Sequence, residues 1–188
     1  MESWSVFIQQ FGRITDDDIS LMNEKAKIVS LSKGNYFSEA GRVPTRVCFV
    51  LEGVLRGVYY TSDGLPVTRC FIPEGNLAVD YMNFERASPS TEYLAACTDC
   101  TLLIFSKSDW LAFSDLIANW DTAKNKMVQS CMHLKSRKGP VISQNATNRY
   151  LEFMQNYPGL INRVSLADIA SYLGITLPSL SRIRKNIR

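Results

Sequence analysis

Residues 165–188 read SLADIASYLGITLPSLSRIRKNIR, and this run constrains the chain more than any other because its spacing suits two short helices crossed at a tight turn. Ser165 is an N-cap residue with Asp168 three positions on, the pattern of a capping box. Ile169, Ala170 and Leu173 place small and apolar groups on one face. Gly174 supplies a turn in which a positive φ carries no Cβ penalty. Thr176 caps a second helix, Pro178 is tolerated in its first turn, and Leu180 and Ile183 bury its inner face. A small residue, a glycine four on, and apolar residues six and nine beyond it are the spacing two crossed helices require. The second helix leaves Ser179, Ser181, Arg182, Lys185 and Arg188 unburied, with Thr176 at its start. These six are the candidate DNA-contacting residues, a polar and cationic ridge of the kind that fits a major groove.

Charge is unevenly spread. Residues 1–115 hold ten Lys and Arg against fifteen Asp and Glu, whereas residues 116–188 hold eleven against three. An acidic front and a basic back point to the back half as the part that meets a polyanion. At 188 residues, 46% hydrophobic and 21% charged, the chain suits one large soluble domain or two small ones. No apolar run has the length of a transmembrane helix, and the opening MESWSVFIQQFGR lacks the basic start and apolar stretch of a secretory signal. Cys48, Cys70, Cys97, Cys100 and Cys131 are odd in number and scattered, which fits reduced thiols in a cytoplasmic protein with no membrane partner.

The rest of the chain divides by its periodicity. Ser5 to Phe11 is short and apolar on one side, and Thr15 with Asp18 forms another capping box ahead of a helix reading ISLMNEKAKIV. After residue 30, Gly34, Gly41, Gly53, Gly64 and Gly75 punctuate runs rich in Val, Phe, Tyr and Leu, the last three eleven residues apart. The runs RVCFVLEG, VLRGVYYTSDG and PVTRCFIPEG read as strands, with Asp63-Gly64 as a hairpin turn and Tyr93–Cys97 and Thr101–Phe105 as further strands. Short strands at this spacing predict a β-roll or jelly roll within residues 1–115.

From Ser108 the period lengthens. Leu116, Trp120, Ala123, Met127, Cys131 and Leu134 recur at steps of four, three, four, four and three, a heptad-like stripe on one long helix over about 109–138. Such a stripe serves either as a core helix or as a seam against a second copy; the seam is favoured, because two-fold DNA sites suit two-fold proteins. Gly139-Pro140 ends this helix, and a further one over about Gln144–Asn156 packs on the crossed pair to give a small helical domain over 141–188. The predicted class is α+β: an N-terminal β-roll, a long dimerisation helix and a small all-α C-terminal domain.

The segments VCFVLEGVLRGVYY, VTRCFIPEG, ATNRYLEFMQNYPGLINRV and LADIASYLGITLPSLSRIRK resemble the Crp/Fnr family of bacterial transcription regulators, whose sensor is a cyclic-nucleotide-binding-type β-roll. The last two look like a subgroup typical of Bacteroidetes-type bacteria. The resemblance covers nearly the whole chain. It implies a dimeric regulator with double-stranded DNA, a second copy and RNA polymerase as partners. Some members hold an iron–sulfur cluster on N-terminal cysteines, but here no cysteine precedes Cys48, and no resident metal or cofactor and no enzyme activity are expected.

In members that bind cyclic nucleotides, an FxxxG turn is followed by a Gly-Glu pair and an Arg-Ser/Thr-Ala cassette that holds the phosphate. Arginine suits that task because its planar fork donates bidentately. Here FIPEG is followed by NLAVDYMNFERASPSTEYLAA. Asp80 falls near the glutamate position without its glycine, and the cassette region is Pro89-Ser90-Thr91-Glu92, with Arg86 placed too early. Asp80, Ser90 and Thr91 are therefore the candidate effector-pocket residues. Glu92 repels a phosphate, so tight cyclic AMP binding is not expected, and the roll either senses another small molecule or serves as a scaffold. In the crossed helices the resemblance assigns base reading to Arg182 and phosphate contact to Lys185 and Arg188. Leu177 and Pro178 depart from it, since they make no polar base contacts, and no β-hairpin wing follows the second helix. Those departures carry an alternative: a small-molecule sensor or interaction protein whose helix-turn-helix has lost DNA binding.

Other chemistry finds little support. Cys97 and Cys100 have metal-ligand spacing, but a zinc site takes about four ligands. No second close pair exists, and the lone histidine, His133, lies on the long helix. A cupin-type enzyme needs about two or three histidines in its barrel, and the β segment has none.

Overall fold

Capping chemistry sets the first elements. The structure is a computed structural model that describes residues 2–136 and 144–187. Helices α1 (Glu2–Gln9) and α2 (Asp16–Lys25) open the chain. Thr15 Oγ1 accepts from the Asp18 amide at 3.2 Å while the Thr15 amide donates to the Asp18 carboxylate at 2.8 Å, so the expected box closes in both directions. Helix α2 stops at Lys25, however, and Lys27–Leu31 forms strand β1 instead of prolonging the helix. Nearly all of β1 is exposed, so no alternation of apolar residues marks it in the sequence.

The strands that follow are β2 (Tyr36–Ser38), β3 (Arg46–Glu52), β4 (Val54–Tyr60), β5 (Pro66–Pro73), β6 (Leu77–Ala78), β7 (Tyr93–Ala96) and β8 (Cys100–Ser106). A short helix, α3 (Tyr81–Arg86), joins β6 to β7. The strands pair antiparallel in two four-stranded sheets, β1-β8-β3-β6 and β2-β7-β4-β5, the jelly roll expected from the spaced glycines. Phe37, Val50, Leu55, Ile72, Leu94 and Leu102 pack in the core of this roll.

Helices cover Val47, Phe49, Leu103 and Phe105 of the first sheet. Trp4, Phe7 and Ile8 of α1, Met22 of α2, and residues of α4 (Lys107–Leu116) and α5 (Trp120–Ser136) bury against them. Here the structure corrects the expectation of one helix over 109–138. The chain breaks at residues 117–119, with Ile117 extended and Asn119 left-handed at φ +65°. Asparagine tolerates that conformation better than most residues. The break sets Trp120 edge-on to Trp110 and Phe113, with ring centroids 4.8 and 5.1 Å apart.

The stripe read as a dimer seam faces inward. Trp120, Ala123, Met127 and Cys131 are buried within the chain itself, Leu134 is half-buried against the roll, and Leu116 stands off it at 53% exposure. The reason is that steps of three and four mark any helix with one buried face, whatever buries it. Lys138 and the breaker Gly139-Pro140 lie outside the described residues.

Among the described residues that follow are the helices α6 (Ala146–Asn156), α7 (Leu166–Leu173) and α8 (Leu177–Ile187). They share a core with the roll. Val54, Phe71 and Cys97 pack with Tyr150, Phe153, Tyr157, Leu160 and Tyr172, and the Phe71 ring lies 5.9, 6.2 and 5.5 Å from those of Phe153, Tyr157 and Tyr172.

Candidate nucleic-acid interface and cavity

Helix α8 is positioned by its two ends and its inner face. Gly174 closes α7 at φ +65°, with its amide turned back to the Ser171 carbonyl at 3.3 Å, which lets the chain leave in a new direction. Thr176 Oγ1 then accepts from the Ser179 amide at 3.3 Å and caps α8. Leu180 is buried and Ile183 half-buried beneath the pair. Arg149 of α6 donates to the Leu173 carbonyl at 2.9 Å and to the Gln144 carbonyl at 2.8 Å, bracing α6 against the end of α7.

The outward face of α8 is open. Thr176, Ser181, Arg182 and Lys185 are exposed and Ser179 is half-exposed, while the helix carries no acidic side chain. A shallow groove lined by Asn145, Asn148, Ser179, Arg182 and Asn186 runs between α8 and the start of α6. Arg188 lies outside the described residues. The structure therefore gathers five of the six expected residues on one cationic, hydroxyl-bearing ridge, the chemistry that meets phosphates and base edges. The apolar first turn is exposed as well, Leu177 at 44%.

The helix pair is tied to the roll by polar contacts. Ser165 Oγ accepts from the Asp168 amide at 3.0 Å, but the Asp168 carboxylate turns to Arg56 of β4, so only half of the expected box forms. Arg56 also donates to Thr68 Oγ1 at 3.0 Å. The Thr68 amide donates to Ser171 Oγ at 2.8 Å, and Ser171 Oγ donates to the Pro66 carbonyl at 2.8 Å. Arg163 donates to both carboxylate oxygens of Glu74, one of which also accepts from the Gly53 amide at 2.7 Å. Burial works against the Glu74 charge, but Arg163 outweighs it and holds the carboxyl below its ordinary value.

A cavity of about 330 Å³ opens where α3 and α5 meet the roll, with Asp80, Thr91, Arg69 and Lys135 among its lining residues. Ser90 and Asp80 come together at its edge. Ser90 Oγ donates to Asp80 Oδ2 at 2.7 Å, and Asn83 Nδ2 donates to the same oxygen at 2.8 Å. Burial opposes ionisation of Asp80, but these hydrogen bonds prevail and hold it below the usual carboxylate range. Thr91 is exposed at the cavity edge.

The two cations of this cavity were missed from sequence. Glu92 is 2% exposed, and its carboxylate is shared between Lys135 of α5 and Arg69 of β5, the latter at 3.2 Å. Lys135 also donates to the Val79 carbonyl at 3.0 Å. Burial pulls the ammonium down, but Glu92 more than offsets it and the net shift is upward. One signal was present: Lys135 stands one helical turn after buried Cys131, in register with the apolar stripe, and a buried lysine needs a partner.

The cysteines show no site. All five are free and buried, burial raises Cys97 to about 12, and no cluster of metal-ligating side chains occurs among the described residues.

No protein-family model and no curated protein sequence matches the chain. Solved structures do match. The chain is similar to FixK2 from Bradyrhizobium japonicum, with a TM-score of 0.72 and 18% identity over 86% of this chain and 84% of that one. It is similar to the c-di-GMP-responsive global regulator CLP of Xanthomonas campestris, with a TM-score of 0.71 and 14% identity over 90% and 89%. It is also similar to a CRP/FNR-family transcriptional regulator from Thermus thermophilus, with a TM-score of 0.69 and 13% identity over 86% and 85%. The architecture is the Crp/Fnr-type regulator fold, a jelly roll followed by C-terminal helices. Among the described residues no helix is long and apolar enough to cross a membrane.

Proposed function

We propose that this chain is a dimeric, DNA-binding regulator of transcription in which α8 enters the major groove and the roll is its sensory module. The observation that carries the reading is the outward ridge of α8, capped by Thr176, seated on buried Leu180 and free of acidic groups. Arg182 reads a base, Thr176, Ser179 and Ser181 offer hydroxyls to bases or phosphates, and Lys185 and Arg188 hold phosphates. Two copies set two such helices in successive grooves about 34 Å apart. Because Trp120, Ala123, Met127 and Cys131 are occupied by the chain's own core, the second copy meets the outer face of α5, which carries Lys126, Gln129, Met132 and His133. A bound dimer then acts by recruiting or obstructing RNA polymerase. Cyclic AMP is not its ligand: Asp80, Ser90 and Thr91 come without the phosphate-holding arginine, and the cations present are engaged by Glu92.

The exposed apolar turn at Leu177 and Pro178 favours a second reading, in which the helix pair meets a protein. Fluorescence anisotropy on promoter fragments between about 50 and 200 mM salt separates the two. A regulator shows steep loss of affinity with salt and preference for one fragment. Flat, negligible binding to every fragment transfers the helix pair to the second reading.

A further inference from the structure

The cavity beside α3 is filled at its cationic end by the chain itself. Glu92 enters from just before β7, nearly solvent-free, and divides its two carboxylate oxygens between Lys135 and Arg69. Gly57 on the neighbouring strand makes room for it. A Cβ at that position would lie 3.2 Å from Glu92 Oε2 and 3.1 Å from Cys70 Sγ, so any side chain there competes for the carboxylate's place. The Glu92 amide donates to Ser90 Oγ at 3.2 Å, and the Val79 carbonyl anchors the Lys135 ammonium at 3.0 Å. A guanidinium and an ammonium converging on one carboxylate are the donor pair of an anion site. Here the anion is a side chain. An incoming phosphate or carboxylate, approaching past exposed Arg69, must displace a buried carboxylate or lie against its charge where the dielectric is low.

We propose that Glu92 is the specificity-determining residue of this cavity: an internal carboxylate that fills its anion site, shuts out phosphate- and carboxylate-bearing ligands, and pins the last turn of α5 to β5 and β7 with no bound molecule. The purpose of the pin rests on the regulator reading, since Arg69 adjoins Thr68, whose amide bonds to Ser171 of α7. The chemistry of the site does not rest on it.

The test uses the full chain as wild type, E92Q, E92A and E92A/K135M, with inorganic phosphate and cyclic AMP as probes in calorimetric titration and thermal shift. Wild type is expected to give no saturable binding of either probe at millimolar concentration. E92A should bind phosphate about tenfold or more tighter than wild type and melt higher in its presence, and E92A/K135M should lose the gain. Cyclic AMP binding by E92A at the same strength as phosphate means that the site accepts the esterified anion too; failure of cyclic AMP alone confines it to small anions. The proposal is overturned by wild-type protein that binds as tightly as E92A, or by folded E92A that gains nothing. Should circular dichroism show E92A unfolded, E92Q keeps the shape, removes the charge and is judged by the same two outcomes. DNA binding is measured on wild type in parallel, so its absence sinks the regulator reading while the anion result stands by itself.

Discussion

Arg56 on β4 and Asp168 on α7 form an ion pair across 112 positions of sequence, with side chains only 16% and 18% exposed. It joins the second sheet to the first helix of the pair beside the Thr68–Ser171 hydrogen bond. Removing one member leaves the other's charge half-buried and unmatched, a loss of about 1–3 kcal/mol. Arg56→Met and Asp168→Asn should each lower the urea midpoint, and the double variant should lose less than their sum. Strict additivity would show the two groups to be uncoupled.

Trp120→Ala should destabilise the fold by about 3–5 kcal/mol, because its ring is enclosed by Trp110 and Phe113. Sedimentation of the protein that stays folded should show association unchanged. Met132→Glu, on the open face of α5, should do the reverse: dissociate dimers while leaving the melting temperature within a few degrees. The opposite pattern returns the stripe to a subunit seam.

Arg182→Ala should weaken binding to the preferred promoter fragment by about 1–3 kcal/mol with much less effect on unrelated DNA. Lys185→Ala should weaken all sequences alike and reduce the salt slope by about one. Uniform loss for Arg182→Ala would make it a second phosphate anchor.

Arg163 holds Glu74 below its ordinary value, so the folded chain protonates there less readily than the unfolded one. The stability this contact supplies is complete above the free glutamate range, about pH 4.3, and drains as pH falls through the lower folded value. Wild type should exceed Glu74→Gln in stability at neutral pH, and the gap should narrow as pH drops below about 4. Asp80 shifts in the same direction but is common to both proteins and cancels. A gap constant to about pH 3 would contradict the assignment.

Burial pushes the thiols up, Cys70 to about 11 and Cys97 to about 12. At pH 8 a thiol reagent should leave all five cysteines unlabelled for minutes in native protein and label all five in denaturant. Fast native labelling of Cys97 or Cys100 would reopen a redox role for that pair.

Features written in local chemistry were legible. Thr15 with Asp18, Ser165 and Gly174 marked helix boundaries the structure keeps, and Asp63-Gly64 marked the β4–β5 turn. Strand β1 was hidden because this edge strand is exposed on both faces, which leaves no alternation to read. The break between α4 and α5 was hidden because the apolar steps from Leu116 to Trp120 are the same whether or not the helix continues. Periodicity told that one face of α5 is buried, not by what. At the cavity, Asp80 and Thr91 were reachable through resemblance, as was Ser90, which bonds to Asp80. Arg69 and Lys135 were not, since they stand 23 and 43 positions from Glu92 and meet it only through the fold.

Thr68 and Arg69 are neighbours on β5, one bonded to the helix pair and the other to the cavity. Successive residues of a strand point to opposite faces, so β5 carries the two contacts on adjoining positions. In the proposed regulator, a substitution that alters the cavity at Arg69 is therefore felt at the helix pair through Thr68. On that proposal, a change of ligand and a change of promoter preference would come together.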